Sequence, residues 1–162
     1  MTDLTPEIGM DENRLRHCHG VGMKASELGR TLFGWSDEKC RDMFVMGYLH
    51  DVGYQFAQEQ SEHEELGGAL LRSLGFMYWA EIFHHGNPDS PYRSDELLVL
   101  NLADMLTSKD GSATTIPARL ADIASRYGVE STQYVAAKKL ADVLVARVRE
   151  IGGPQDVLSQ LV

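Results

Sequence analysis

The chain has 162 residues, with 43% apolar and 24% charged side chains. That balance fits one soluble globular domain and excludes a disordered chain. Fifteen basic residues against 24 acidic ones leave a formal charge of −9, which argues against a general grip on nucleic acid or an anionic membrane. No apolar run reaches the roughly 20 residues that cross a bilayer, and the opening MTDLTPEIGMDE has no secretory pattern. With only Cys18 and Cys40, a disulfide framework is excluded and a cytoplasmic location is expected.

The pattern is helical nearly throughout. Residues 1–11 read as a flexible N-terminal segment, and 12–162 as a single all-α domain of about 6–8 helices. Leu15, Val21, Met23, Leu28 and Leu32 predict a helix over 12–33, with Gly34 as its stop. Ser36 is placed as an N-cap, and the helix after it is expected to run to about Gly53. A third helix is expected over about 61–74, with Leu66, Leu70, Leu71 and Leu74 at helical spacing. Residues 76–85 form a further apolar segment, in which Phe76, Tyr78 and Trp79 read as core or pocket lining. GNPDSPYRS is the clearest loop. Ser94 then caps a helix carrying Leu97, Leu98, Leu100, Leu102, Met105 and Leu106. Pro117 suits the first turn of a short helix ending near Tyr127-Gly128. Ser131 or Thr132 opens a long helix with Ala137, Leu140, Ala141, Leu144, Val148 and Ile151 on one stripe. Residues 112–162 carry no legible chemistry. Their stripe completes the core and could also support a homodimer.

The informative feature is where the six histidines fall. His50 is followed directly by Asp51 at the end of an apolar helix. Neighbours on a helix point about 100° apart, so the two side chains can approach one centre from adjacent directions. His17 lies one helix upstream and His63 one helix downstream, while His84 and His85 close EIFHH. Asp104 sits inside LLVLNLADMLTS, where an ionised carboxylate is costly unless paired or metal-bound. Imidazole and carboxylate together suit Mn, Fe, Zn, Co or Ni, and a carboxylate-rich subset takes Mg. His19 is about 200° around the helix from His17 and cannot share its centre; Cys18 reads as a packed thiol.

In order, the chain carries RxxHxxGV at Arg14–Val21, HD at His50–Asp51, HEELGGA at His63–Ala69, IFHH at Ile82–His85 and LADMLT at Leu102–Thr107. This set resembles the HD-domain metal-dependent phosphohydrolases, and especially the small bacterial members of that family. The resemblance implies an HD-domain helical bundle with a motif core over 12–108. It implies one divalent ion held by His17, His50, Asp51 and Asp104. A second ion would be bridged by Asp51 and held by His63, His84 and, less securely by the motif, His85. Fe, Mn, Co, Ni and Mg are the expected metals.

The implied reaction is hydrolysis of a small phosphorylated compound, a nucleotide or dinucleotide, by metal-activated water. Asp51 would position that water, with His85 or Glu64 assisting proton transfer. One position departs from the family pattern: a lysine common three residues after the HD aspartate is here Tyr54. A tyrosine has no fixed positive charge, so Arg14, Arg93 and Lys109 join Tyr54 as candidate substrate contacts. Two alternatives stay open: a di-iron oxygenase built on nearly the same ligands, and a non-catalytic nucleotide- or metal-binding module.

Overall fold

A computed structural model of the chain describes residues 10–162. The expected flexible segment 1–11 lies largely outside them, but at its end Met10 is buried and Asp11 caps the first helix. Among the described residues the chain forms eight helices: α1 Glu12–Phe33, α2 Asp37–Leu49, α3 His63–Ser73, α4 Trp79–His84, α5 Asp95–Met105, α6 Ile116–Tyr127, α7 Thr132–Glu150 and α8 Gln155–Leu158. Short 3-10 turns at Val52–Gln55 and Gln60–Glu62 join α2 to α3. The β-type pairing among the described residues is one isolated bridge, Thr107 to Ala113. The fold is therefore an all-α bundle.

Side-chain caps set most of the helix starts. Asp11, Ser36, Ser94, Thr115 and Ser131 each accept a backbone N–H three residues on, at 2.7–3.3 Å. Each satisfies one of the donors that a helix start leaves unpaired. Gly34 closes α1 in the left-handed region at φ 61°, where a side chain would be strained.

α5 is the central element. Leu97, Leu98, Val99, Leu100, Leu102, Ala103 and Met105 are all buried, as expected for a helix apolar on every side. α1 and α2 cross on one flank, α3 and α4 pack on another, and α7 covers a third. Val21, Met46, Leu100, Leu144, Val157 and Leu161 belong to one buried cluster, so the C-terminal helices close the same core as the first two. The stripe Leu140, Ala141, Leu144 and Val148 on α7 supplies that contact.

Three elements differ from the sequence reading. α2 stops at Leu49, short of Gly53, because the Gly47 carbonyl is taken early by His50, through its backbone N–H at 3.4 Å and its ring Nδ1 at 2.7 Å. The buried face of α3 is His63, Gly67, Gly68 and Leu71. Leu66 and Leu74 point outward, at 38% and 72% exposure. The glycines win the inner face because backbone comes so close there: a Cβ on Gly53 would lie 1.7 Å from the His63 carbonyl oxygen. α8 has only one short turn, for which the sequence offered no helical periodicity.

Candidate metal centre

Five elements deliver one inward polar side chain or pair each. α1 gives His17, the end of α2 gives His50 and Asp51, the first residue of α3 gives His63, the residue after α4 gives His85, and α5 gives Asp104. The α1–α2 crossing is tight: a Cβ on Gly47 would lie 2.8 Å from the Gly22 Cα. That approach sets the His17 and His50 rings 5.3 Å apart. The 3-10 turn seated on α3 through Gly53 brings His63 back over Asp51.

Asp51 sits at the middle, 3% exposed. Its Oδ1 lies 3.2 Å from His63 Nε2, 3.3 Å from His50 Nε2 and 3.7 Å from His85 Nε2. Its Oδ2 faces the other way, 2.8 Å from Arg14 Nη1 and 3.8 Å from His17 Nε2. Asp104 Oδ1 stands 3.0 Å from His17 Nε2 and 3.7 Å from His50 Nε2. Three overlapping groups have ligand atoms close enough to hold an ion: His17, His50 and Asp51; His50, His85 and Asp104; and Asp51, His63 and His85.

The tautomers follow from the backbone. His17, His50 and His85 each place Nδ1 on a carbonyl oxygen, of Ser108 at 2.9 Å, Gly47 at 2.7 Å and Ile82 at 2.5 Å. A carbonyl only accepts, so Nδ1 carries the hydrogen; neutral His50 and His85 turn an unprotonated Nε2 to the centre, while His17 Nε2 stands 3.0 Å from Asp104 Oδ1 and bonds it when that ring is charged. Fixing one ring nitrogen this way is how proteins orient metal-binding imidazoles. His63 is oriented by a side chain instead, with Nδ1 3.2 Å from Glu64 Oε2. His50 is the clearest case: its Nε2 is fully buried and makes no hydrogen bond among the described residues, although Asp51 Oδ1 lies 3.3 Å away. A buried lone pair without a partner is unfavourable unless something electropositive meets it. The residue set therefore fits a divalent metal.

The charges agree with that fit. Burial alone would raise the Asp51 pKa, but His50, His63 and His85 outweigh it and hold the carboxyl well below the usual range. At Asp104 burial is likewise outweighed, by His17 and His50. Burial opposes charging His17, yet its hydrogen bond to Asp104 and the charges of Asp104 and Asp51 raise its pKa. Glu64 is raised, mainly by burial. The Cys18 thiol is pushed far up by burial, in keeping with a packed residue. His19 points to solvent beside Phe44.

His84 is corrected: it is not brought to the centre. Its Nδ1 pairs with Ser90 Oγ at 3.0 Å and its ring stacks on Tyr92 at 5.2 Å. The helix breaks between the two histidines, with His85 extended at φ −61°, ψ 148°, so they diverge and His85 alone turns inward. Asn101 supports that turn by accepting the Gly86 N–H at 2.8 Å. Arg93 is corrected too. It is exposed and lies outside the cavity over the centre, because Tyr92 and Ser94 on either side are tied to buried Glu81 at 2.8 and 3.0 Å.

Tyr54 and Arg14 act together. The Arg14 guanidinium lies 3.9 Å over the Tyr54 ring, and that ring stacks on His63 at 4.0 Å. The tyrosine thus carries a cation on one face and braces an imidazole on the other. The positive charge expected of a lysine at this position comes from Arg14.

The cavity over the centre has a volume of about 560 Å³. Arg14, Tyr54, Glu64 and Lys109 line it beside the His and Asp cluster. Its far wall comes from the segment that showed no chemistry in sequence: Arg119, Ile123 and Arg126 on α6, and Gln133, Ala136 and Leu140 on α7. The signal was present as spacing, since 119, 123 and 126 fall on one face of a helix, but nothing in sequence says which way that face turns.

An all-α bundle whose helices converge a His and Asp cluster on one cavity is an architecture built to hold metal. The sequence profile of the HD domain family matches residues 14–147, and the chain belongs to that family. HD domains bind divalent metals, and the family points to metal-dependent hydrolase-type activity. No curated protein and no solved structure gives a match.

Proposed function

We propose that the protein is a metal-dependent phosphohydrolase acting on a small phosphorylated compound, a nucleotide or dinucleotide. The buried Nε2 of His50, which makes no hydrogen bond among the described residues, carries this reading. A ring already fixed through Nδ1 leaves that lone pair for a metal and for little else.

Two ions suit the donor set better than one. His17, His50, Asp51 and Asp104 would hold the first, and Asp51, His63 and His85 the second. Divalent ions there would supply positive charge to a phosphoryl group and lower the pKa of water. The chain's own side chains do the rest. Asp51 orients the attacking water. Arg14, held flat by Tyr54, offers a fork of donors to phosphate oxygens. Glu64 lines the cavity beside His63 and is placed to take up a proton. His85 is less suited to that task, because its Nδ1 is bound to Ile82 and its other nitrogen faces Asp51. Apolar Ile123, Ala136 and Leu140 would cover a base, and the cavity falls in the range of small-molecule sites.

Elemental analysis and a phosphate-release screen test the proposal together, with Mn, Fe, Co, Ni and Mg against nucleotides, dinucleotides and sugar phosphates. His50→Ala and Asp51→Ala are expected to lose bound metal and at least about 100-fold in turnover. A metal-free variant that turns over at the parent rate overturns the assignment. Iron-dependent oxygen uptake without phosphate release would replace it with the oxygenase reading.

A further inference from the structure

Among the described residues, Arg119 is a charged group without a counterpart. Its Nε and Nη1 are buried, and no hydrogen-bond partner meets either. A guanidinium stays charged at every physiological pH. Burying its donors unpaired is unfavourable, and more so for a charged group. The rest of α6 does not explain the cost. Arg126, two helical turns on, is paired with Asp122 at 2.8 Å, while Arg119 has no such carboxylate among the described residues.

The placement of Arg119 is as informative as its lack of partners. It lines the same cavity as the metal centre, on the wall formed by α6, with Arg126 and Lys109 lining that cavity too. In a chain of formal charge −9, this cavity gathers four cations, Arg14, Lys109, Arg119 and Arg126, three of them away from the histidine and aspartate cluster. Their carboxylate neighbours in the lining are Asp11, Asp51, Glu64 and Asp104. Of these, Asp51 and Asp104 are engaged with imidazoles, and Glu64 stands against His63.

Resting on the hydrolase reading, we propose that Arg119 anchors a second oxyanion subsite, so that the substrate carries a further phosphate besides the one cleaved. Arg119 lines the cavity, and a guanidinium presents its Nε–H and one Nη–H side by side as a two-pronged donor, the geometry that phosphate oxygens accept best. Arg126 and Lys109 add positive charge around it. The metal centre and the cationic wall then grip two ends of one polyphosphate or bisphosphate compound, and a substrate with a single phosphate leaves Arg119 unpaired.

Inorganic pyrophosphate is the probe. Isothermal titration calorimetry on the chelator-treated full chain reads binding without the metal centre. The parent is expected to bind, Arg119→Met to weaken binding at least tenfold, and Arg119→Lys to recover part of the loss, because the charge returns without the fork. Lys138→Met, which removes one surface charge paired with Asp142, leaves binding unchanged. Failure of the parent to bind, equal binding by Arg119→Met, or an equal loss in Lys138→Met each overturns the subsite. Far-UV circular dichroism confirms that the variants fold, and Arg119→Lys keeps the test decisive should the methionine variant not. The two readings fail separately. Absent phosphate release with every metal removes the hydrolase and leaves Arg119-dependent pyrophosphate binding to be read. Hydrolysis with pyrophosphate binding indifferent to Arg119 removes only the subsite.

Discussion

Asp51 divides its work between two oxygens: Oδ1 collects His50, His63 and His85, and Oδ2 faces Arg14 and His17. The neighbouring ring of Tyr54 is what keeps two of those partners in place. Tyr54→Ala is expected to weaken metal binding about 10-fold, the usual size for a group that orients a ligand. Tyr54→Phe keeps the stack and stays near the parent. Metal titration of the stripped protein, read by competition with a chromogenic chelator, separates the two. The same residues set a pH dependence in the metal-stripped protein. His17 has a folded pKa above its ordinary 6.5, so its stabilisation is full below that value and is lost as pH rises through the folded pKa. Asp51 and Asp104 are lowered from 3.8, so theirs is present above that value and is lost as pH falls through the folded pKa. In chelator, the melting temperature is expected to decline as pH is raised above about 6.5, and Asp104→Asn to flatten that decline. An unchanged slope in the variant would contradict the His17–Asp104 pairing.

Among the elements, the turn between α2 and α3 has the least freedom. Gly53 lies against the His63 carbonyl with no room for a methyl group, and Gly67 on α3 packs on the same turn. Gly53→Ala is expected to destabilise the fold by about 1–3 kcal/mol, as overpacking does, seen as a lower urea midpoint at constant m. Because the turn also holds His63 over Asp51, the variant should lose metal affinity in parallel. The break after α4 is the companion case. One helical step separates His84 from His85, and the extended backbone at His85 sends one ring to Tyr92 and the other to Asp51. The sequence pair reads as two equivalent ligands; the local backbone makes them unequal.

For the molecule as a whole, the centre ties five helical elements to one point, so metal should act as a staple. A ligand at 100 times its dissociation constant stabilises the native state by about 2.7 kcal/mol. At roughly 2–4 °C per kcal/mol for a domain of this size, chelation should lower the melting temperature by about 5–10 °C. Differential scanning calorimetry with and without chelator checks this, and equal curves would mean that the cluster holds no metal. The helices and most of the central cluster were legible in the amino-acid order because their signals are local: apolar spacing, caps, and an aspartate placed where only pairing tolerates it. The choice of His85 over His84, the glycine face of α3 and the exclusion of Arg93 were not legible, since each depends on where one backbone turn points. Least visible was the wall of α6, where Arg119 acquires meaning only because α7 and the core carry it to the cavity over the histidine and aspartate cluster. Periodicity determines what a helix buries, but which cavity its remaining face borders is decided by the packing of all the others.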